Sequence, residues 1–153
     1  MNSMPMSATE LKAALSLSAV FFLRMLPLFM LLPVLSLAGE SYRASTPQLL
    51  GIALGIYGLT QASLQMPFGM LSDRFGRKPI ICLGLVIFII GSLIAAMSDS
   101  IYGLILGRAL QGTGAIAAAI MALAADLSTE QHRTKVMALI GISIGISFSV
   151  AFV

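Results

Sequence analysis

Apolar positions fall in long stretches along this chain, with short polar breaks between them. Five runs are visible, at about residues 13–38, 49–71, 79–97, 101–125 and 135–153, and the last is still apolar where it reaches Val153. Each is near or above the ~20 residues that carry a helix across a bilayer. The connections between them are short, and irregular backbone exposed to lipid has no partner for its N–H and C=O groups. The pattern predicts an all-α membrane protein. A cytoplasmic N-terminus over residues 1–12 leads into a helical bundle over residues 13–153.

Composition fixes the solvent. Hydrophobic residues make up 58% of the 153 and charged residues 10%, with a mean hydropathy of +0.99. A soluble domain carries about 25% charged residues, so too little polar surface exists here to cover a globule in water. The lipid bilayer is therefore the first partner expected. A net charge of +3 and a pI near 9.4 would suit nucleic acid, but the basic residues sit mainly in short loops between apolar runs. That is the distribution of an oriented membrane protein, and no nucleic-acid partner is expected. The lone Cys82 lies inside an apolar run and reads as an inert small hydrophobe. Ser36-Leu37-Ala38 resembles a signal-peptide cleavage site, yet the apolar stretch before it is far longer than a signal core and contains Arg24 and two prolines.

Charge asymmetry sets the orientation. With the N-terminus inside, Lys12, Arg74, Arg77, Lys78, Arg133 and Lys135 fall on the cytoplasmic side, and Arg43 alone falls on the other. Such a bias predicts that the loop around Asp73 and the segment from Asp126 to Lys135 face the cytoplasm. Small residues four apart, Gly51 and Gly55, Gly103 and Gly107, Gly141 and Gly145, predict close helix packing.

Two cations lie where lipid would reject them. Arg24 is roughly 16 Å into the first run and Arg108 about 10 Å into the fourth, at 1.5 Å per residue. A cation at a helix centre costs about 2.5–3.5 kcal/mol on insertion scales, so a polar cavity or a buried partner is implied. Two readings stand for Arg24: a hydrogen bond to a carbonyl freed by Pro27 or Pro33, or contact with an anion or solute in a water-filled cavity. Tyr57, Thr60, Gln61, Gln65 and Gln111 are candidates to line that cavity or to join helices.

The ten residues from Gly69 to Lys78 pack Asp73, Arg74, Arg77 and Lys78, with Gly69 and Gly76, between two apolar runs. Orientation alone accounts for the cations, but not for Asp73 or the glycine spacing. Read physically, the segment is a conformational latch. Gly69-x-Leu71-x-Asp73-Arg74-x-Gly76-Arg77-Lys78 resembles the loop signature of the major facilitator superfamily, motif A. Arg108-x-x-Gln111-Gly112-x-Gly114-Ala115 is similar to its fourth-helix signature, motif B. Both stand where that superfamily places them.

The resemblance implies a fold of twelve helices in two six-helix halves, of which this chain would supply the first five. A missing C-terminal half would then be its partner. It implies a secondary active transporter working by alternating access on a small-molecule solute, with a proton gradient as energy source, no bound cofactor and no metal. In such a protein the motif A loop closes the cytoplasmic side. Arg77 would pair with Asp73 and with Asp126, and Asp73 would face the N-terminus of a helix in the other half. Arg108 would correspond to a buried arginine proposed to tune a neighbouring proton site.

One departure matters. Many drug/proton antiporters carry an acid within helix one, where this chain has Arg24. Glu10, Glu40, Asp73, Asp99, Asp126 and Glu130 are all terminal or in loops, and His132 reads as a loop residue. Either a coupling carboxylate lies beyond Val153 or proton coupling is absent. Proton-coupled efflux is the first reading, and a proton symporter or uptake facilitator is the alternative. From another class, a transport-dead membrane sensor or assembly scaffold also fits. An enzyme is not expected, since no nucleophile with a base and no carboxylate pair sits at membrane depth.

Overall fold

The computed structural model describes residues 6–152. Helices account for nearly all of it: α1 (Ala8–Ala38), α2 (Pro47–Phe75), α3 (Arg77–Ala96), α4 (Ile101–Thr113), α5 (Ala117–Asp126) and α6 (Glu130–Ala151), with a 3₁₀ turn at Gly39–Ser41. Five stretches are long and apolar enough to cross a membrane, α4 and α5 together forming the fourth. The protein is all-α, as the apolar runs predict.

Helix ends follow local chemistry. Thr46 Oγ1 accepts from Leu49 N–H at 3.2 Å with Pro47 in the first turn, and Ser100 caps α4 by accepting from Tyr102 N–H. Both satisfy an amide that lacks an intrahelical partner. Ser7 and Glu10 form a reciprocal capping box at the start of α1. Within the spans, hydroxyls bond back to their own helix. Thr60 donates to the Ile56 carbonyl, Ser92 to Phe88 and Ser147 to Ile144. Lipid offers these groups nothing better. The exposed faces are strongly apolar, with Leu23, Met66, Ile89 and Phe148 all open to the surroundings.

The chain forms two compact units, one of residues 1–33 and 121–153, the other of residues 34–120. In the first, α6 is anchored to α1 at one end by Glu10 and further along by an edge-to-face stack of Phe29 on Phe148, centroids 5.2 Å apart. In the second, α3 and α4 pack almost backbone to backbone. A Cβ added to Gly91 would stand 2.6 Å from the Gln111 amide nitrogen and 2.7 Å from the Gly107 carbonyl. Arg43 N–H donates to the Asp99 carbonyl and Ile101 N–H to that of Arg43, an isolated bridge that ties two loops together.

The structure corrects three readings of the sequence. Of the glycine pairs, Gly103 and Gly107 do pack tightly. Gly51, Gly55, Gly141 and Gly145 have nothing within 4 Å of where a Cβ would be. Spacing alone finds a small-residue ridge but not what lies against it. The fourth run is not one continuous helix. It breaks between Thr113 and Ala117, where Ala115 N–H bonds to the Thr113 carbonyl and Ile116 N–H to that of Gly114. Gly114 there lies against the Gly84 backbone, too close to admit a side chain. Finally, the motif A "loop" is a single residue: α2 continues to Phe75 and α3 begins at Arg77.

Candidate functional site

Gly76 makes the α2–α3 corner with φ 95° and ψ 150°, a conformation that a side chain makes costly. That one-residue corner decides where the charges go. Asp73 and Arg74 end α2, Arg77 and Lys78 open α3, and the Arg77 guanidinium folds back to pair with Asp73. Its Nη1 also donates to Ser72 Oγ at 2.8 Å, and Ser72 in turn donates to the Gly69 carbonyl at 2.7 Å. Ser72 is 1% exposed, which makes it the buried support of the corner. Sequence reading missed it, because a serine beside a charge run carries no distinctive signal.

The cations sit at opposite helix ends. Arg74 is at the C-terminus of α2, where the macrodipole favours it, and its guanidinium lies over the Phe75 ring at 5.5 Å. Arg77 opens α3, where a cation is disfavoured, and Asp73 offsets that. Leu71, Lys78 and Asp73 are exposed. Gly69 is under no close constraint from the chain itself, since an added Cβ would meet only Ala118 at 3.7 Å. Asp126 ends α5 and belongs to the other compact unit.

Motif B forms a second polar centre, inside the α2–α3–α4 unit. Arg108 is 4% exposed. Its Nη1 donates to Gln111 Oε1 at 2.7 Å, its Nε reaches the Ala53 carbonyl at 3.4 Å, and its guanidinium carbon stands 4.8 Å over the Tyr57 ring. A cation on an aromatic face gains about 2 kcal/mol when desolvated, comparable with the insertion cost of the charge. Gly112 has Thr60 Oγ1 and the Tyr57 carbonyl packed directly against it, which brings α2 this close.

Tyr57, Gln61 and Gln65 recur every four residues and so share one face of α2. The Tyr57 hydroxyl and Gln61 Oε1 are buried with no hydrogen-bond partner among the described residues. Arg24 is 2% exposed in the middle of α1, within the other unit. The structure thus brings Arg108, Gln111, Gly112 and Tyr57 together.

The sequence of the whole chain decides the family. The Major Facilitator Superfamily family model matches residues 17–153. The chain belongs to that superfamily. Among its relatives within it, the inner membrane transport protein YajR of Escherichia coli K12 is 60% identical over 153 residues, which is all of this chain and 34% of that protein. An uncharacterized transporter of Buchnera aphidicola subsp. Schizaphis graminum is 50% identical over all of this chain and 39% of its own length. More distantly, the class B tetracycline resistance protein of E. coli is 36% identical over 97 residues, 63% of this chain and 24% of that protein. This superfamily member spans about a third of the length of the first two.

One further cluster escaped sequence reading. Glu10, read there as a terminal acid, is buried and accepts from the amides of Ser7 and Thr129, both at 2.9 Å. His132 Nδ1 stands 3.2 Å from the same carboxylate. Contrary to the sequence reading, His132 lies in the first turn of α6, not in a loop. Thr129 is the N-cap residue of that helix, so one carboxylate serves the N-termini of both α1 and α6. Its only sequence signal is the Ser-x-x-Glu capping box; the second helix it caps lies 119 residues away.

Proposed function

We propose that this chain is the first part of a secondary active transporter that moves a small-molecule solute across the bacterial inner membrane by alternating access, its N-terminus cytoplasmic. The α2–α3 corner is the observation that carries the reading. A single glycine hinge points an exposed acid outward while a buried serine and the acid hold the arginine behind it. Within this chain the Asp73–Arg77 pair faces water and contributes no more than about 1 kcal/mol. Docking against a second half would exclude that water and strengthen the attraction between the two charges, net of the cost of desolvating them. A contact weak when open and strong when closed is what a latch requires.

Arg108, Tyr57, Gln61 and Gln65 then serve a polar face of the second unit, and Arg24, taken by itself, is a candidate solute contact. Efflux coupled to a proton gradient is the direction we favour, because a relative is named for tetracycline resistance. The open glycine faces of α2 and of α6 suit close packing with further helices of the same protein. In the full-length transporter, Asp73→Asn or Arg77→Ala should cut solute flux several-fold, with Arg43→Ala close to wild type. Equal effects of all three would remove the latch.

A further inference from the structure

Arg108 is a buried cation whose hydrogen bonds lead off its own helix. Arginine has donors only, so Gln111 must turn its oxygen to Nη1 of Arg108, as the 2.7 Å contact has it. That leaves the Gln111 amide NH₂ facing the other way, towards α3, where Nε2 donates to Ser92 Oγ at 2.9 Å. Ser92 commits its own proton to the Phe88 carbonyl at 2.8 Å and so presents only lone pairs to the amide. The donors run in one direction, from Arg108 through Gln111 and Ser92 to a helix carbonyl.

We propose that Ser92 is a positioning residue: through Gln111 it fixes the guanidinium of Arg108 over Tyr57. The inference rests on reading Arg108 as part of the polar face that serves transport. Its logic is one of exclusion. A Gln amide turned by half a rotation would present NH₂ to a guanidinium, two sets of donors face to face. With the Ser92 hydroxyl in place that rotation also costs a bond on α3, because Ser92 could donate to Oε1 only by giving up the Phe88 carbonyl. Without the hydroxyl, no side chain of α3 among the described residues bonds the amide, and Arg108 loses the geometry of its shortest bond. In a low-dielectric interior such a chain of bonds is mutually reinforcing, and breaking its far end is felt at the near end. The contact of Gly91 with the Gln111 backbone keeps α3 and α4 close enough for Ser92 to reach.

The test reads Arg108 directly and needs no transport assay, so it can fail while the transport reading stands. In the full-length transporter in liposomes, the rate of phenylglyoxal modification at Arg108 is followed by peptide mass spectrometry, with Arg43 as internal reference. Ser92→Ala should raise the Arg108 rate at least about threefold, and Ser92→Thr, which keeps the hydroxyl, should restore it. In a Gln111→Met background, adding Ser92→Ala should change nothing further, as expected of residues acting through one path. An unchanged rate in Ser92→Ala overturns the proposal. So does a Ser92→Thr protein that behaves like Ser92→Ala, which would make packing the cause, or a Ser92→Ala effect that persists without Gln111.

Discussion

At the scale of single residues, burial and backbone angle separate positions that look alike in sequence. Gly69 and Gly76 are both glycines of motif A, yet only Gly76 has a positive φ, 95°, and an added side chain at Gly69 would meet ordinary contact. Gly76→Ala should therefore destabilise the protein by about 1–3 kcal/mol through backbone strain. Gly69→Ala should leave the stability of this part of the molecule almost unchanged. Thermal unfolding in detergent, followed by circular dichroism, distinguishes the two. Ser72 and Ser92 make the same point for hydroxyls. Several serines in these helices merely bond back to their own helix, and these two do so while also accepting from a neighbouring polar group.

At the scale of helices, the contacts that matter are made by absent side chains. The α3–α4 seam is closed by Gly91 and Gly107, where a Cβ added to Gly107 would lie 2.6 Å from the Ala95 amide nitrogen. Backbone on both sides leaves no flexible atom to move. Gly107→Val should force α3 from α4 and lower the unfolding midpoint by several degrees, whereas Gly55→Val, at an equally spaced glycine with open space around it, should have far less effect on the isolated chain. A comparable loss at both positions would mean that the seam is not where the helices are held. The break at Gly114–Ile116 belongs to this scale too. Splitting the fourth span lets Gly114 approach the α3 backbone at Gly84, at the expense of regular helical hydrogen bonds in the interrupted turn.

For the whole molecule, lipid replaces water as the solvent for most of the surface, and charge decides which end faces which side. In the orientation proposed above, the Gly76 corner and Lys12 face the cytoplasm and Arg43 the opposite side, as the positive-inside rule expects. In a Cys82→Ser background, a cysteine placed at Lys78 should react with a membrane-impermeant thiol reagent only after the membrane is opened. One placed at Arg43 should react in intact cells. The reverse pattern would invert the topology and detach the latch from the cytoplasmic face.

Much of this was legible in one dimension. Five apolar runs of bilayer length specify five spanning stretches, because a helix is what satisfies backbone groups within a single segment in lipid. The Asp73–Arg77 pair was implied by the motif A resemblance and is present at the corner, while the one-residue sharpness of that corner at Gly76 was not legible. Arg108 and Gln111, three apart on a helix, were bound to be neighbours. Long-range partners were not legible. That Ser92 holds Gln111, that Glu10 caps a helix 119 residues further on, and that Gly107 rather than Gly55 faces a neighbour depend on which face of each helix meets which. On helices apolar nearly all round, sequence leaves that rotation undetermined, because lipid rewards every face equally. Only side-chain packing and a few buried hydrogen bonds, formed once the helices have met, decide it.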